Sequence, residues 1–270
     1  MKRSRTAIRR SRLAYGVGAV AATLALTAAA QTPASAQPFS ADPAPARSAP
    51  ANSASTDPAP VRSATAPVPT PEALAPAYAD CPQDLPTGAD RTKWRCEVTI
   101  AYGHVKLGGI DLPDIKPITL VHAEGPLPDG TFGQVMGTVR AEPTPVPGAP
   151  GLSVRTEYGG YADFLSSGAM DLKFRLVSPF LNRACAIGTD ENPVKVRLSK
   201  DAPSTWLSQD PPLVRFPAHD DAFTTPAATR CGPLGRAIND RFALPAASGD
   251  SLATFTVYYT FKTYDRLAGS

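Results

Sequence analysis

Residues 171–177 read Asp-Leu-Lys-Phe-Arg-Leu-Val, and this heptad decides the fold class. In an extended chain Leu172, Phe174 and Leu176 share one face, and Lys173 and Arg175 lie on the other. A helix would set Leu172 and Phe174 on opposite sides and bury neither well. The same two-residue period recurs to either side. It is present in residues 97–102 (EVTIAY), 119–122 (TLVH), 132–140 (FGQVMGTVR), 152–158 (LSVRTEY), 194–198 (VKVRL) and 254–264 (TFTVYYTFKTY). Turn-forming stretches rich in Pro and Gly separate them: LPDIKP, GPLPDG, EPTPVPGAPG and APSTWLSQDPP. Short half-buried strands punctuated in this way predict an all-β fold, an antiparallel β-sandwich or barrel-like domain. A parallel sheet would need crossover helices of about ten residues or more, and no stretch reads that way. One short helix is expected from Cys231, in CGPLGRAINDRFALP, with Leu234, Ala237, Ile238 and Phe242 toward the sheet and Pro245 ending it. Two Pro-rich connections, around 143–150 and 199–218, read as hairpin loops at one end of the sandwich. Trp206 lies in the second and is the candidate binding contact, because loops on a rigid β scaffold often carry binding.

The N-terminus adds an export signal. Residues 1–12 hold six bases and no acid, an apolar run follows from Leu13 to about Ala30, and Ala34-Ser35-Ala36 offers a cleavage site. Arg9-Arg10 is followed by Ser11-Arg12, which suits general secretion better than twin-arginine export. With residues 1–36 read as a signal peptide, the remaining chain carries 21 bases against 24 acids in place of 27 against 24. The excess of base therefore belongs to the signal, and a nucleic-acid partner is not expected. No transmembrane anchor is expected after cleavage. Residues 37–77 include ten prolines among Ala, Ser and Thr, with almost no large apolar side chain. This composition reads as a disordered linker. The β-rich secreted domain is then 78–270.

The four cysteines, Cys81, Cys96, Cys185 and Cys231, form an even set in a chain read as exported, which implies disulfides. Of three pairings, Cys81–Cys96 and Cys185–Cys231 each close a local loop. No C-x-x-C pair and no His at ligand spacing from a Cys supports a zinc site.

The tetrapeptide Gly249-Asp250-Ser251-Leu252 matches the signature of GDSL hydrolases. In that group the serine lies near the N-terminus, with its Asp and His far downstream. Here 19 residues follow Ser251 and none is His, since His104, His122 and His219 all precede it. The stretch reads instead as a turn before the last strand. His219-Asp220-Asp221 and Asp190-Glu191 are polar clusters, but adjacent residues of an extended chain point apart, and neither has calcium-loop spacing. Paired carboxylates are judged by their separation. The acids on the expected strands are Glu97, Glu157 and Asp171. Trp94, beside Cys96, is expected to pack on that disulfide. No catalytic, metal or cofactor motif stands out, and no cofactor is expected.

The C-terminal third resembles a group of secreted actinobacterial proteins. The residues that carry the likeness are Cys185, Ile187, Gly188, Asn192-Pro193-Val194, Phe223, Pro226, Cys231-Gly232, Leu244-Pro245 and Gly249. The resemblance supports the Cys185–Cys231 pairing and makes the GDSL stretch the local variant of a turn before the last strand; it implies no activity. The expected function is a secreted, non-catalytic binding or structural protein whose partner is a cell-wall component or another extracellular protein. The alternatives are a hydrolase and a carrier of a small apolar ligand. A cleft with converging His and acid would favour the hydrolase, and an apolar cavity the carrier.

Overall fold

The structure, a computed structural model, describes residues 67–267. The signal peptide read over 1–36, and the linker as far as residue 66, lie outside the described residues. Among the described residues, fourteen strands, all paired antiparallel, form two sheets. The larger contains β1 (Arg95–Leu107), β2 (Ile110–Leu112), β3 (Ile118–Pro126), β4 (Phe132–Ala141), β10 (Ser199–Lys200), β11 (Thr205–Gln209), β12 (Pro212–Asp220) and β14 (Leu252–Thr263). Its path runs β10-β12-β14-β1-β3-β4, with β11 on β12 and β2 on β1. The smaller sheet contains β5 (Thr144–Pro145), β6 (Ser153–Asp163), β7 (Ala169–Val177), β8 (Ala186–Ile187), β9 (Val194–Arg197) and β13 (Ala228–Thr229). It runs β13-β8-β7-β6-β5, with β9 also on β7. The expected antiparallel sandwich is what forms. In β7, Leu172, Phe174 and Leu176 are buried while Lys173 and Arg175 face out.

Two apolar clusters flank the larger sheet. Between the sheets, Leu107, Ile110, Leu172, Leu176, Ile187 and Phe255 belong to one core. On the outer face, Trp94, Val98, Val121, Ala123, Tyr258 and Tyr264 form a second. The chain N-terminal to β1 covers that outer face. Here the expected domain start at Tyr78 moves earlier. Thr70 caps α1 (Pro71–Leu74) through its side chain, a 3₁₀ turn follows over Ala75–Asp80, and Leu74 is buried in the second core. Leu74 docks this short segment together with Tyr78, which packs against the same core. Gly125 lets Trp94 lie against β3, since a Cβ there would come within 2.7 Å of the indole ring. The indole N–H donates to the Pro126 carbonyl at 2.9 Å.

Both local disulfides are present, Cys81–Cys96 and Cys185–Cys231. They close loops of 15 and 46 residues, and loop entropy assigns them about 3 and about 4 kcal/mol. The expected helix is the 3₁₀ turn Gly232–Leu234 continued by α2 (Gly235–Arg241). Its buried side is narrower than expected: Ile238 and Phe242 are buried, while Leu234 and Ala237 are exposed. The 199–218 connection is corrected outright. It is the β10–β11–β12 region, and β12 pairs along β14 from Val214↔Tyr259 to Asp220↔Ala253. Trp206 therefore sits on an edge strand. Among the described residues, no helix is long and apolar enough to cross a membrane.

Candidate ligand site between the sheets

β1 has 13 residues and β7 has nine. β6, beside β7, has 11, so at about 3.3 Å per residue β1 is longer than these two strands by roughly 7–13 Å. At the Arg95–Ala101 end of β1 the sheets enclose a cleft of about 300 Å³. This volume is at the low end of small-molecule sites. Alternation in β1 turns Arg95, Glu97, Thr99 and Ala101 into the cleft, and alternation in β3 turns in Ile118, Leu120, His122 and Glu124. Phe255, Val257 and Tyr259 of β14 and Phe216 of β12 extend the same wall. The opposite wall is the β6–β7 turn, with Phe164, Leu165 and Gly168, then Met170; Leu198 and, from β10 at the edge of the larger sheet, Lys200 complete the lining.

The cleft is apolar along its length and charged at one end. Pairing of β1 with β3 sets Glu97 directly opposite His122 and Arg95 opposite Glu124. Glu124 Oε1 accepts from Arg95 Nε at 2.9 Å and from Nη2 at 2.5 Å. Its Oε2 lies 3.3 Å from His122 Nε2. Glu97 is less well served: its nearest donors are Thr99 Oγ1 at 3.4 Å and Arg95 Nη2 at 3.6 Å. One ligand-type atom from each of Glu97, His122 and Glu124 lies within 4.8 Å of the others. His122 packs its ring on Phe164, with centroids 5.3 Å apart.

The two carboxyls respond oppositely to this setting. Burial pushes Glu97 up, and the negative charge of Glu124 adds to that against the opposing pull of His122 and Arg95. Burial also pushes on Glu124, but the His122 hydrogen bond and the Arg95 charge outweigh it and hold Glu124 below the ordinary range. Burial likewise raises the nearby Tyr259 phenol, with Glu97 contributing.

The residues singled out in the sequence fall elsewhere. Trp206 is 53% exposed and does not line the cleft. It stands at the outer end of an aromatic row: edge-on to Phe261 at 6.3 Å, which stacks at 6.5 Å with Tyr259 on the cleft wall. Arg95 lies over Phe261, 4.5 Å from its centroid. Ser251 is buried, 2.7 Å from Thr225 Oγ1, and accepts from the Gly108 N–H at 3.3 Å. The turn before it has Gly249 at φ +91° and an Asp250 N–H bond to the Ala247 carbonyl. Asp220 ties strands together, accepting from the Arg197 and Ala222 N–H groups. His219 bonds Asp201, and Asp190 pairs with Lys173. Glu157 forks onto Arg175 on the outer face of the smaller sheet.

No family model, curated protein or solved structure matches the chain. Any reading of function therefore starts from the cleft.

Proposed function

We propose that the chain is an exported, non-catalytic binding protein that takes a small ligand with an apolar body and a polar head into the cleft between its sheets. One observation carries this reading. The inner face of β1, β3 and β14 keeps Ile118, Leu120, Phe255 and Val257 around open space of about 300 Å³, and that space ends on Arg95, Glu97, His122 and Glu124. Apolar walls supply affinity, and a few convergent polar groups orient the ligand. Export is supported by the basic, acid-free start of the chain with its apolar run and Ala-x-Ala end, and by two disulfides, which persist in oxidising compartments.

The test is a titration with the neutral fluorescent probe N-phenyl-1-naphthylamine. The wild-type chain is expected to bind it saturably. Ala101→Met, which extends a side chain into the cleft, weakens binding by about tenfold, equivalent to about 1.4 kcal/mol, with the fold intact by circular dichroism. Equal binding by both proteins overturns the reading.

A second reading, a secreted hydrolase, is favoured by the opposite shifts of Glu97 and Glu124. Environments that push two carboxyls apart are how acid and base roles are divided. Glu97 would be the acid and Glu124 the base. Turnover of p-nitrophenyl esters or glycosides by wild type but not by Glu97→Gln supports it, and equal rates for the two proteins exclude this pair.

A further inference from the structure

We infer that Glu97, His122 and Glu124 bind one divalent transition-metal ion, of the zinc type, at the charged end of the cleft. The three residues offer one imidazole nitrogen and two carboxylate oxygens from adjacent strands, all within 4.8 Å of one another. Around an ion with bonds of about 2.0–2.2 Å, ligand atoms stand about 3.5 Å apart, so the set closes with a turn of the glutamate side chains. Three protein ligands leave a fourth position, and here it faces the cleft.

What separates this group from an ordinary patch of acids is its histidine. His122 is 2% exposed, it lines the cleft, and its Nδ1 has no hydrogen-bond partner among the described residues. A buried imidazole nitrogen is normally paired, and its other nitrogen makes only the 3.3 Å contact to Glu124. Glu97 too has no donor closer than 3.4 Å. An ion takes one nitrogen of this buried ring and gives the Glu97 carboxylate the partner it lacks, because a neutral imidazole and a carboxylate are good ligands for such ions.

Arg95 is the competing cation. It holds Glu124 through Oε1, which leaves Oε2 on the side of His122. Its side chain is 36% exposed, so the guanidinium is able to swing toward solvent when an ion enters. Lys200, the other cation on the cleft, lies over the Phe216 ring and bonds Ser204, so Arg95 is the one cation that pairs with the two carboxylates.

The inference does not depend on the apolar ligand proposed above, and its experiment contains no organic probe. The full, oxidised chain is stripped with a chelator and titrated with Co²⁺ by visible absorption and with Zn²⁺ by calorimetry. One ion per chain is expected, with cobalt bands of a low-coordinate site. Glu97→Gln and Glu124→Gln should each lower the affinity at least tenfold, while Glu157→Gln on the far sheet should not change it. These replacements nearly preserve side-chain shape, and unchanged thermal unfolding of the metal-free variants confirms that the fold survives. Failure of the wild type to bind stoichiometrically overturns the inference. So does binding by both Glu97→Gln and Glu124→Gln as tight as that of the wild type.

Discussion

Ser251 and Glu157 show how polar side chains serve the fold of this protein. The Ser251 hydroxyl bonds Thr225 and the Gly108 amide inside the protein. Ser251→Ala therefore leaves two buried groups short of a partner and should cost about 1–3 kcal/mol. A urea titration measures this as a lower midpoint at unchanged slope, with probe binding in the cleft unaltered. Loss of binding with full stability would restore a functional role to the serine. Glu157 bridges Arg175 and Arg155, which face each other across β6 and β7. The Arg175 hydrogen bonds hold its carboxyl below the ordinary range despite partial burial. A lowered folded-state pKa means that the pair stabilises above the unfolded value of about 4.3 and that this contribution is lost as pH falls through the folded value. The stability gap between wild type and Glu157→Gln should accordingly be open at pH 7 and closed near pH 2. A gap independent of pH contradicts this assignment. Ser251 was legible as a turn residue from Gly249, Asp250 and the missing downstream His alone. Glu97 and His122 were visible only as strand residues, because nothing local in the chain states that β1 and β3 place them opposite each other.

At the level of elements, the segment before β1 acts as a strap on the outer face of the larger sheet. Leu74 enters the second core, Tyr78 meets Thr260 at 3.2 Å, and Tyr264 donates to the Pro82 carbonyl at 2.8 Å. Leu74→Ala should cost about 2–4 kcal/mol by the cavity it leaves, measured by chemical denaturation. A change below about 0.5 kcal/mol would mean that the strap is not docked. The sequence concealed this element, since one leucine in a Pro- and Ala-rich run carries no periodicity. It concealed β12 for a different reason. Pro212 and Pro217 argue for a loop, yet Pro212 is the first residue of the strand, where proline is tolerated. Pro217 falls between the residues that pair with β11, up to Arg215, and those that pair with β10, from Ala218. The missing N–H thus lies where the partner strand changes. β7 was fully legible because its faces differ sharply, with Phe174 and Leu176 inward and Lys173 and Arg175 outward.

The described residues form three layers, strap, long sheet and short sheet, and the cleft opens between the two sheets beside the β6–β7 turn. Where β6 to β9 cover the long sheet, Leu107, Ile110, Leu172 and Ile187 close the core. Toward the β6–β7 turn the same inner face lines the cleft and ends in Glu97, His122 and Glu124. Strand alternation made the two sheets predictable, whereas the gap between them is a property of the assembled sheets and had no local signature. The claim that this cleft is a ligand site is tested most directly by methyl NMR of the oxidised chain during titration with N-phenyl-1-naphthylamine. The account predicts that the methyls of Ile118, Leu120, Leu198 and Val257 shift together and saturate, while those of Leu107 and Ile110 stay in place. Shifts confined to the outer surface around Trp206 and Leu207, or no saturable shift at the cleft methyls, would contradict it.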